Sequence, residues 1–394
     1  MRILLLSDYV AEFGGAEEVV LKTRKLLEKK GHEVRIIGSD KRRILSSFFS
    51  RWLSAKYYRQ TRRLIKSFKP DIVHCHNFTR NISPSPLLAA KRLEVPTVLT
   101  VHDFYLYCPK TCGIFSDGKV CERGYNMLCP FYQCKTHKVG YQYVPYYLLK
   151  WLKAGMHRYI IRKNVDYFIC PTEALKRLIT RSLGVEDSRV IHLPNFIETK
   201  NKRIAFDKTN EKLFLFVGRL SREKGVDVGI RAMDYLIKKE GLRNIKLKII
   251  GDGPEMENLV RQVTKLGLDK NIKFIGQVEN KGLGRYYQES CAVLLPSVYL
   301  ENAPLVALEA MLSGKPIIAS DIGGLPELVE HNKTGYLFEM SNYVEMGEYM
   351  KRLYDNRELS AKLGKAGFEK CRREFNAQSH YKRLMEIYDG LISG

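Results

Sequence analysis

Short runs of β-branched and apolar residues recur along this chain at helix-length intervals, and they do so in two series. Ile3 to Leu6 is followed by a turn holding Gly14-Gly15, then by Ala16, Val19, Val20, Thr23, Leu26 and Leu27 at helical spacing before Gly31. Glu33 to Gly38, Asp71 to His76 and Pro96 to His102 are further short strands separated by helix-length segments. After a polar, basic stretch from Glu198 to Glu211 the pattern restarts. Lys212 to Val217 leads through a glycine turn into a helix on Val226, Ile230 and Met233. Lys246 to Ile250, Ile272 to Gly276, Cys291 to Leu295 and Pro316 to Ser320 follow as strands, with helical patterns at Met256 to Leu266 and Pro304 to Ser313. Such alternation calls for a parallel sheet with helices on both faces. The fold class is therefore α/β, with two Rossmann-like doubly wound domains facing a central cleft.

At 394 residues the chain exceeds what one hydrophobic core organises. The pattern sets a first domain over 1–197, a linker over 198–211, a second domain over 212–374 and a closing helix over 375–394. Tyr381, Leu384, Ile387, Tyr388 and Leu391 share one side of that helix. Apolar residues make up 45% of the sequence and charged ones 28%, which excludes a disordered or fibrous chain. No run comes near the roughly 18 to 20 apolar residues of a membrane span, so an integral membrane protein is not expected. Met1 to Asp8 has too short an apolar core for a secretory leader, and a cytoplasmic location with reduced thiols is expected. The 66 Lys and Arg against 43 Asp and Glu give a formal charge of +23. That excess favours polyanions such as nucleic acid, anionic lipid headgroups or phosphorylated substrates.

In open α/β sheets, ligands bind beyond the carboxyl ends of the strands, so function is sought in the loops there. The richest segment runs from Ser297 to Met311. It leaves a buried strand, presents Glu301 on a loop and enters a helix near Pro304, so that Glu301 and Glu309 face one site. A helix N-terminus offers unpaired N–H groups to an anion, and a proline in the first turn gives up a donor that has no partner there. A phosphate fits that position, with the carboxylates on a sugar's hydroxyls. The plain alternative is a loop charge and a solvated helix carboxylate. Val217 to Gly225 sets Arg219, Arg222 and Lys224 on a glycine turn after a strand. Arginine forks two phosphate oxygens and lysine acts as a movable point charge, so diphosphate is a natural ligand; the alternative is a basic surface turn. Gly251-Asp252-Gly253-Pro254 follows the next strand, where glycine lets backbone approach a ligand closely. Phe274 to Val278 offers backbone groups to a nucleobase edge.

The second half resembles the nucleotide-sugar domain of retaining family 4 glycosyltransferases, the glycosyl transferases group 1. The resemblance rests on Gly218-Arg219-Leu220 with Lys224-Gly225, Gly251-Asp252-Gly253-Pro254, the Glu-x7-Glu pair Glu301 and Glu309, and the run from Ala319 to Glu327. The first half is similar to the family's acceptor domain through Gly14-Gly15-Ala16-Glu17, Pro70 to Asn77, Val101-His102-Asp103 and Leu193-Pro194-Asn195. The resemblance implies GT-B architecture, with acceptor binding over 1–197, nucleotide-sugar binding over 212–374, and the closing helix returning to the first domain. It implies a catalytic set of His102, Glu301, Arg219 and Lys224. Arg219 and Lys224 hold the donor diphosphate, Glu301 contacts the transferred sugar, and His102 lies near sugar and acceptor. Glu309 holds the ribose hydroxyls and Gly15 approaches the donor phosphates. Gly253, Val278, Asn302, Ala303, Leu305 and Val306 complete the donor-binding set. The family transfers with retention and implies no metal at the donor site, and the chain contains no Asp-x-Asp. Glu301-Asn302-Ala303-Pro304 stands where the commoner wording is Glu-x-Phe-Gly, a difference that bears on the identity of the sugar.

His74 and His76 alternate with apolar residues and read as a polar strand end or, alternatively, as metal ligands. Asp103 is placed to fix the tautomer of His102. Five of the nine cysteines, Cys108, Cys112, Cys121, Cys129 and Cys134, fall in an insertion over about 108–137, with His137 just beyond Cys134. A structural zinc on Cys108, Cys121, Cys129 and Cys134 is one reading; free thiols or an oxidation-sensitive pair is the other. The remaining four, Cys75, Cys170, Cys291 and Cys371, read as packing residues.

The region 41–69 is basic through Lys41-Arg42-Arg43, Arg51, Lys56, Arg59, Arg62, Arg63, Lys66 and Lys69, interleaved with Phe48, Phe49, Trp52, Leu53, Tyr57 and Tyr58. An anionic membrane surface is the expected partner, with ordinary amphipathic helices as the alternative. Tyr141 to Lys163 is also aromatic and basic and is a candidate lining for an acceptor groove. No RNA-binding motif is present, and nucleic acid is not expected.

The resulting expectation is a metal-independent retaining transferase with no cofactor required for catalysis. It takes a nucleoside-diphosphate sugar and a glycan or lipid-linked hydroxyl acceptor at the cytoplasmic membrane face, in cell-envelope glycan synthesis. The alternatives are a sugar-nucleotide epimerase on the same architecture and a non-catalytic scaffold that binds anionic membrane or nucleic acid.

Overall fold

The computed structural model describes residues 1–10, 14–39, 52–79, 82–132, 134, 141–198 and 212–393. Lys41-Arg42-Arg43, Phe48, Phe49 and Arg51 of the basic region, His137, and 199–211 of the predicted linker lie outside the described residues. The chain divides into two compact units: Met1–Asn195 with Ala377–Gly394, and Phe196–Asn376.

The first unit is a six-stranded, all-parallel sheet. Its strands are β1 (Arg2–Tyr9), β2 (Glu33–Ser39), β3 (Ile72–Cys75), β4 (Thr97–Thr100), β5 (Tyr167–Cys170) and β6 (Val190–His192), in the order β2-β1-β3-β4-β5-β6. Its helices are α1 (Gly15–Lys29), α2 (Ala55–Phe68), α3 (Ser85–Arg92), α4 (Val144–Asn164) and α5 (Glu173–Leu183). Strands β1, β3 and β4 are buried almost throughout because helices cover both faces of a parallel sheet, which is why they read as unbroken apolar runs. Helix α1 buries Val19, Val20, Thr23, Leu26 and Leu27, the stripe its sequence spacing predicts.

The second unit is also a six-stranded parallel sheet: β7 (Leu213–Val217), β8 (Lys246–Ile250), β9 (Ile272–Gly276), β10 (Ala292–Leu295), β11 (Ile317–Ser320) and β12 (Gly335–Phe338). The order is β12-β11-β10-β7-β8-β9. Its helices are α6 (Val226–Lys238), α7 (Met256–Leu266), α8 (Asn280–Glu289), α9 (Leu305–Leu312), α10 (Leu325–Leu328), α11 (Tyr343–Asp355) and α12 (Arg357–Glu374). Helix α13 (Ala377–Ile392) belongs to the first unit, where Leu384, Ile387 and Tyr388 join a core of Ile3, Leu5, Leu27, Ile72, Val98, Ile169 and Leu193.

The two sheets reverse their winding at different points. In the first unit the switch lies between β1 and β3; in the second it lies between β7 and β10, the 3-2-1-4-5-6 order of dinucleotide-binding sheets. Loops leaving paired strands on either side of a switch point diverge, and the crevice between them is where ligands enter.

Candidate functional site

In the second unit, the two loops flanking the β7/β10 switch point carry the predicted donor residues. After β7 the chain turns through Gly218 and Arg219 into one 3-10 turn, Arg222–Lys224, and then α6. After β10 it runs from Pro296 to Pro304 and enters α9. A salt bridge joins the loops: Lys224 Nζ lies 2.5 Å from Glu301 Oε1, with the lysine side chain 30% and the carboxylate 15% exposed. Ser297 Oγ donates to the same carboxylate oxygen at 2.7 Å. Glu301 is therefore held in one rotamer by two partners, while the ammonium keeps two further N–H donors. Arg219, on the same loop after β7, is exposed.

Backbone packing sets this geometry. Gly225 has φ +64, and a Cβ there would lie 1.9 Å from Pro296 O. Only glycine permits the β7 and β10 loops to touch in this way. The backbone N–H of Val298 donates to Glu223 O at 3.0 Å across the same junction. Gly253 also has a packing reason for being glycine, since a Cβ there would lie 2.3 Å from Leu220 O. The β7 and β8 loops are thus locked together by Leu220 N to Asp252 O and Glu255 N to Leu220 O, both at 3.0 Å.

Glu309 sits on α9, where its Oε2 accepts from the Tyr287 hydroxyl of α8 at 2.7 Å. Asn302 and Leu305 are buried, whereas Ala303 and Val306 are partly exposed at the start of α9. Pro304 is the residue that caps this helix, with φ −67 and ψ 129, and the first turn begins at Leu305 rather than at the proline as the sequence suggested. Its extended ψ explains the difference, because helical geometry starts only one residue later. Val278 is partly buried in the loop after β9.

In the first unit the β1/β3 switch point places Gly15 and His76. Gly15 opens α1, and a Cβ built on it would meet nothing within 4 Å, so the protein's own packing does not require glycine there. His76 follows β3 and is 2% exposed. Its Nδ1 lies 2.9 Å from Nε2 of His102, and the two rings stack with centroids 5.2 Å apart. His74, two residues earlier, stacks on His76 at 4.3 Å and is held at Nδ1 by Tyr388 Oη, 2.6 Å, and at Nε2 by Thr100 Oγ1, 2.8 Å. Burial holds His74 down to about 3 and His102 down to about 4, and it pushes His76 well below the usual imidazole range. All three rings are neutral at pH 7. His76 Nε2 is buried with no hydrogen-bond partner. A bare ring nitrogen is the cheaper group to leave unpaired, which assigns the shared proton to His76 Nδ1 and makes His102 Nε2 the acceptor.

Sequence reasoning expected Asp103 to set the tautomer of His102. The partner at Nε2 is His76, and Asp103 Oδ1 accepts from Tyr105 N at 2.9 Å. That oxygen closes a turn on the N–H two residues ahead, as an aspartate readily does. His76 and His102, with Asn77, Thr79, Thr100, Asp103 and Tyr105, line a pocket in this unit.

Within the cysteine insertion, isolated antiparallel bridges join Ile114 to Val120 and Phe115 to Cys134. All nine cysteines are buried as free thiols. Cys108 and Cys134 each hydrogen-bond to Cys112, a residue outside the predicted zinc set, while Cys129 Sγ donates to Gly124 O at 3.4 Å. Two of the four predicted ligands thus share Cys112, and a third turns to a backbone carbonyl. Among the described residues no three His, Cys, Asp or Glu side chains are grouped to hold a metal ion. The neighbouring Cys112 thiol, and after it burial, push Cys108 and Cys134 upward, so both stay protonated.

Three participants carried no assigned role from sequence: Ser297, Tyr287 and His76 as partner of His102. The one available signal was the His74-x-His76 spacing, which puts both rings on one face of a strand.

A family model described as "Glycosyl transferases group 1" matches residues 197–370, and one described as "Glycosyltransferase Family 4" matches residues 13–201. The chain is similar to an uncharacterized glycosyltransferase of Methanocaldococcus jannaschii, 27% identical over 276 residues that make up 68% of this chain and 62% of that protein. It is also similar to the sulfoquinovosyl transferase of Arabidopsis thaliana, 25% identical over 384 residues, 93% of this chain and 65% of that one. The chain therefore spans less than two thirds of the length of these relatives. Among solved structures, Anabaena HepE in complex with UDP matches with a TM-score of 0.70 at 16% identity, covering 99% of this chain and all of that one, a likeness of fold. Two family models that abut along the sequence, two parallel six-stranded sheets and these neighbours agree: the chain belongs to glycosyltransferase family 4 and has the GT-B fold.

Proposed function

We propose that this protein moves a sugar, with retention and without a metal ion, from a nucleoside-diphosphate sugar to a hydroxyl acceptor. The acceptor is lipid-linked or polysaccharide material at the cytoplasmic membrane face, in cell-envelope glycan synthesis. The observation that carries the reading is the Lys224–Glu301–Ser297 constellation joining the loops on either side of the β7/β10 switch point, with Arg219 exposed on the same loop as Lys224. Two cations there supply what a divalent ion would otherwise supply to a diphosphate. HepE binds UDP, which favours a uridine nucleotide as the first to try.

In the proposed reaction the bond between the anomeric carbon and the leaving phosphate oxygen breaks while the acceptor oxygen bonds to the same face. The acceptor proton passes to the departing phosphate. Arg219 and Lys224 neutralise the charge that grows on the diphosphate, and Glu301, fixed by its two partners, orients the transferred sugar. Glu309 takes the ribose hydroxyls and Gly15 leaves room for the phosphates. His102, neutral and oriented by His76, binds sugar or acceptor hydroxyls as a hydrogen-bonding group without charge.

Calorimetric titration with UDP and GDP, with and without chelator, tests the donor site. Saturable, chelator-insensitive binding of one nucleotide, weakened by Glu309→Ala, is the expected result. Absence of binding by either nucleotide, or sugar transfer unchanged in both Glu309→Ala and Lys224→Ala, overturns the reading.

A further inference from the structure

Helix α4 is apolar on two opposite sides. Ala154, His157, Ile160 and Ile161 form the stripe it buries. On the other side Leu148, Leu149, Leu152 and Tyr159 are exposed, at spacings that place them along one helical stripe facing solvent. A surface helix of a soluble domain carries charge there. Of the twelve exposed large hydrophobic residues among those described, eight lie between 127 and 159, so this surface is concentrated rather than scattered.

The cysteine insertion supplies the rest. Met127, Leu128 and Phe131 are 79%, 54% and 63% exposed. Their loop is fastened to α4: Trp151 Nε1 donates to Asn126 O at 2.9 Å, Tyr125 stacks on Trp151 with rings 3° from parallel, and Tyr125 Oη donates to Trp151 O at 3.1 Å. Lys110 reaches Tyr132 O at 2.7 Å and lies 4.7 Å from the Tyr147 ring centre. A loop braced in this way presents its apolar tips as a fixed platform.

Charge selects the occupant. From Arg123 to Val165 the sequence contains no Asp or Glu and eight Lys and Arg. A second copy of the chain laid on this surface would set cation against cation with no carboxylate to offset them. Helix α2 continues the same character with exposed Lys56, Arg59, Arg62, Arg63 and Lys66. It is packed against α3, which packs against α4, and His157 Nε2 lies 3.0 Å from Trp52 O just before α2. Apolar side chains flanked by lysines and aromatic rings, with acids excluded, match the boundary between lipid headgroups and acyl chains.

We propose that the outer face of α4 and the loop carrying Met127, Leu128 and Phe131 insert into the interface of an anionic bilayer, while the cations of α2 lie on its headgroups. The inference extends the membrane setting of the proposed function and rests on it, but not on the donor chemistry. It names where the protein meets the lipid.

Vesicle flotation with phosphatidylglycerol and with phosphatidylcholine tests it on the full chain. The wild type is expected to float with phosphatidylglycerol only. Leu149→Ser with Leu152→Ser, and separately Met127→Ser with Phe131→Ser, are expected to lower partitioning about tenfold or more, since each removes apolar area equivalent to one or two inserted side chains. Both variants are expected to keep the wild-type thermal midpoint and nucleotide binding. If the wild type floats and neither variant loses partitioning, the membrane setting stands and this surface is not its contact. If the wild type floats with neither lipid, both the setting and the surface fail while nucleotide binding remains separately testable. If the variants alter oligomeric state in light scattering without altering flotation, the face belongs to a protein interface and the inference is overturned.

Discussion

Lys224 Nζ and Glu301 Oε1, 77 residues apart in sequence, form a 2.5 Å ion pair across the β7/β10 switch point. A partly exposed pair of this kind contributes about 0–1 kcal/mol to folding, so its presence is not explained by stability. Lys224→Ala is expected to leave the thermal midpoint nearly unchanged and to weaken nucleoside-diphosphate binding about tenfold or more, the size of one charge-assisted hydrogen bond. Glu301→Gln is expected to bind nucleotide within a few-fold of wild type and to lower kcat by about a hundredfold. Calorimetry and a product assay on the two variants separate these roles. Loss of nucleotide binding in Glu301→Gln alone would reverse them.

Two glycines are expected to respond in opposite ways to the same change. Gly225→Ala forces a Cβ onto Pro296 O in a left-handed backbone, and destabilisation of about 3 kcal/mol or more, or failure to fold, is expected. Gly15→Ala adds a methyl group to open space on a helix, so stability is expected to hold or rise by up to about 1 kcal/mol. Donor affinity is expected to fall. Wild-type affinity in a folded Gly15→Ala protein would remove Gly15 from the donor site.

Tyr388 ties α13 to the interior of the first unit through its hydroxyl, 2.6 Å from His74 Nδ1, with both side chains buried. Tyr388→Phe keeps the packing and leaves the ring nitrogen unpaired. A loss of about 1–3 kcal/mol in urea unfolding is expected. Thr100→Val, which empties the other end of the same imidazole, is expected to act on stability in the same direction. Neutral outcomes for both would show that water replaces the lost partners.

Nine of the twelve strands among the described residues were legible because short apolar and β-branched runs stand out between helical periods, most plainly in β1, β3, β4, β7, β10 and β11, which are buried on both faces. The three that were not are β5, β6 and β12. Tyr167–Cys170 follows α4 directly with little turn signal, Val190–His192 has only three residues, and Gly335–Phe338 opens on a glycine. Each is named by its neighbours in the sheet and not by its own residues. The Lys224 and Glu301 loops were visible because glycine, charge and strand ends coincide there. The His76–His102 contact was not, since β3 and β4 meet only through register, with Val73 beside Thr97. Ring pairing one or two residues past a strand end depends on that register, which a single sequence does not state.

Four imidazoles, His74 and His76 fully buried and His102 and His380 partly so, make the stability of the first unit depend on pH in a defined window. Burial lowers His74 to about 3 and His102 and His380 to about 4, and it lowers His76 as well. In the unfolded chain each titrates near 6.5. Between about pH 6.5 and 4 the unfolded state therefore binds more protons than the folded one, and stability falls as pH falls. Above about 6.5 the contribution is present in full. Each histidine adds a slope approaching about 1.4 kcal/mol per pH unit inside the window. Carboxylates add their own acid sensitivity, so the comparison that isolates the imidazoles is His380→Gln against wild type. The variant is expected to show a shallower decline, by about one proton, in urea midpoints taken from pH 7 to 4.5. His102 itself stays neutral down to about pH 4, so the acid limb of sugar transfer is expected well below 6.5. An acid limb centred at 6.5 that His102→Asn removes would show the ring to be charged in the working enzyme and would overturn its assignment as a neutral hydrogen-bonding group.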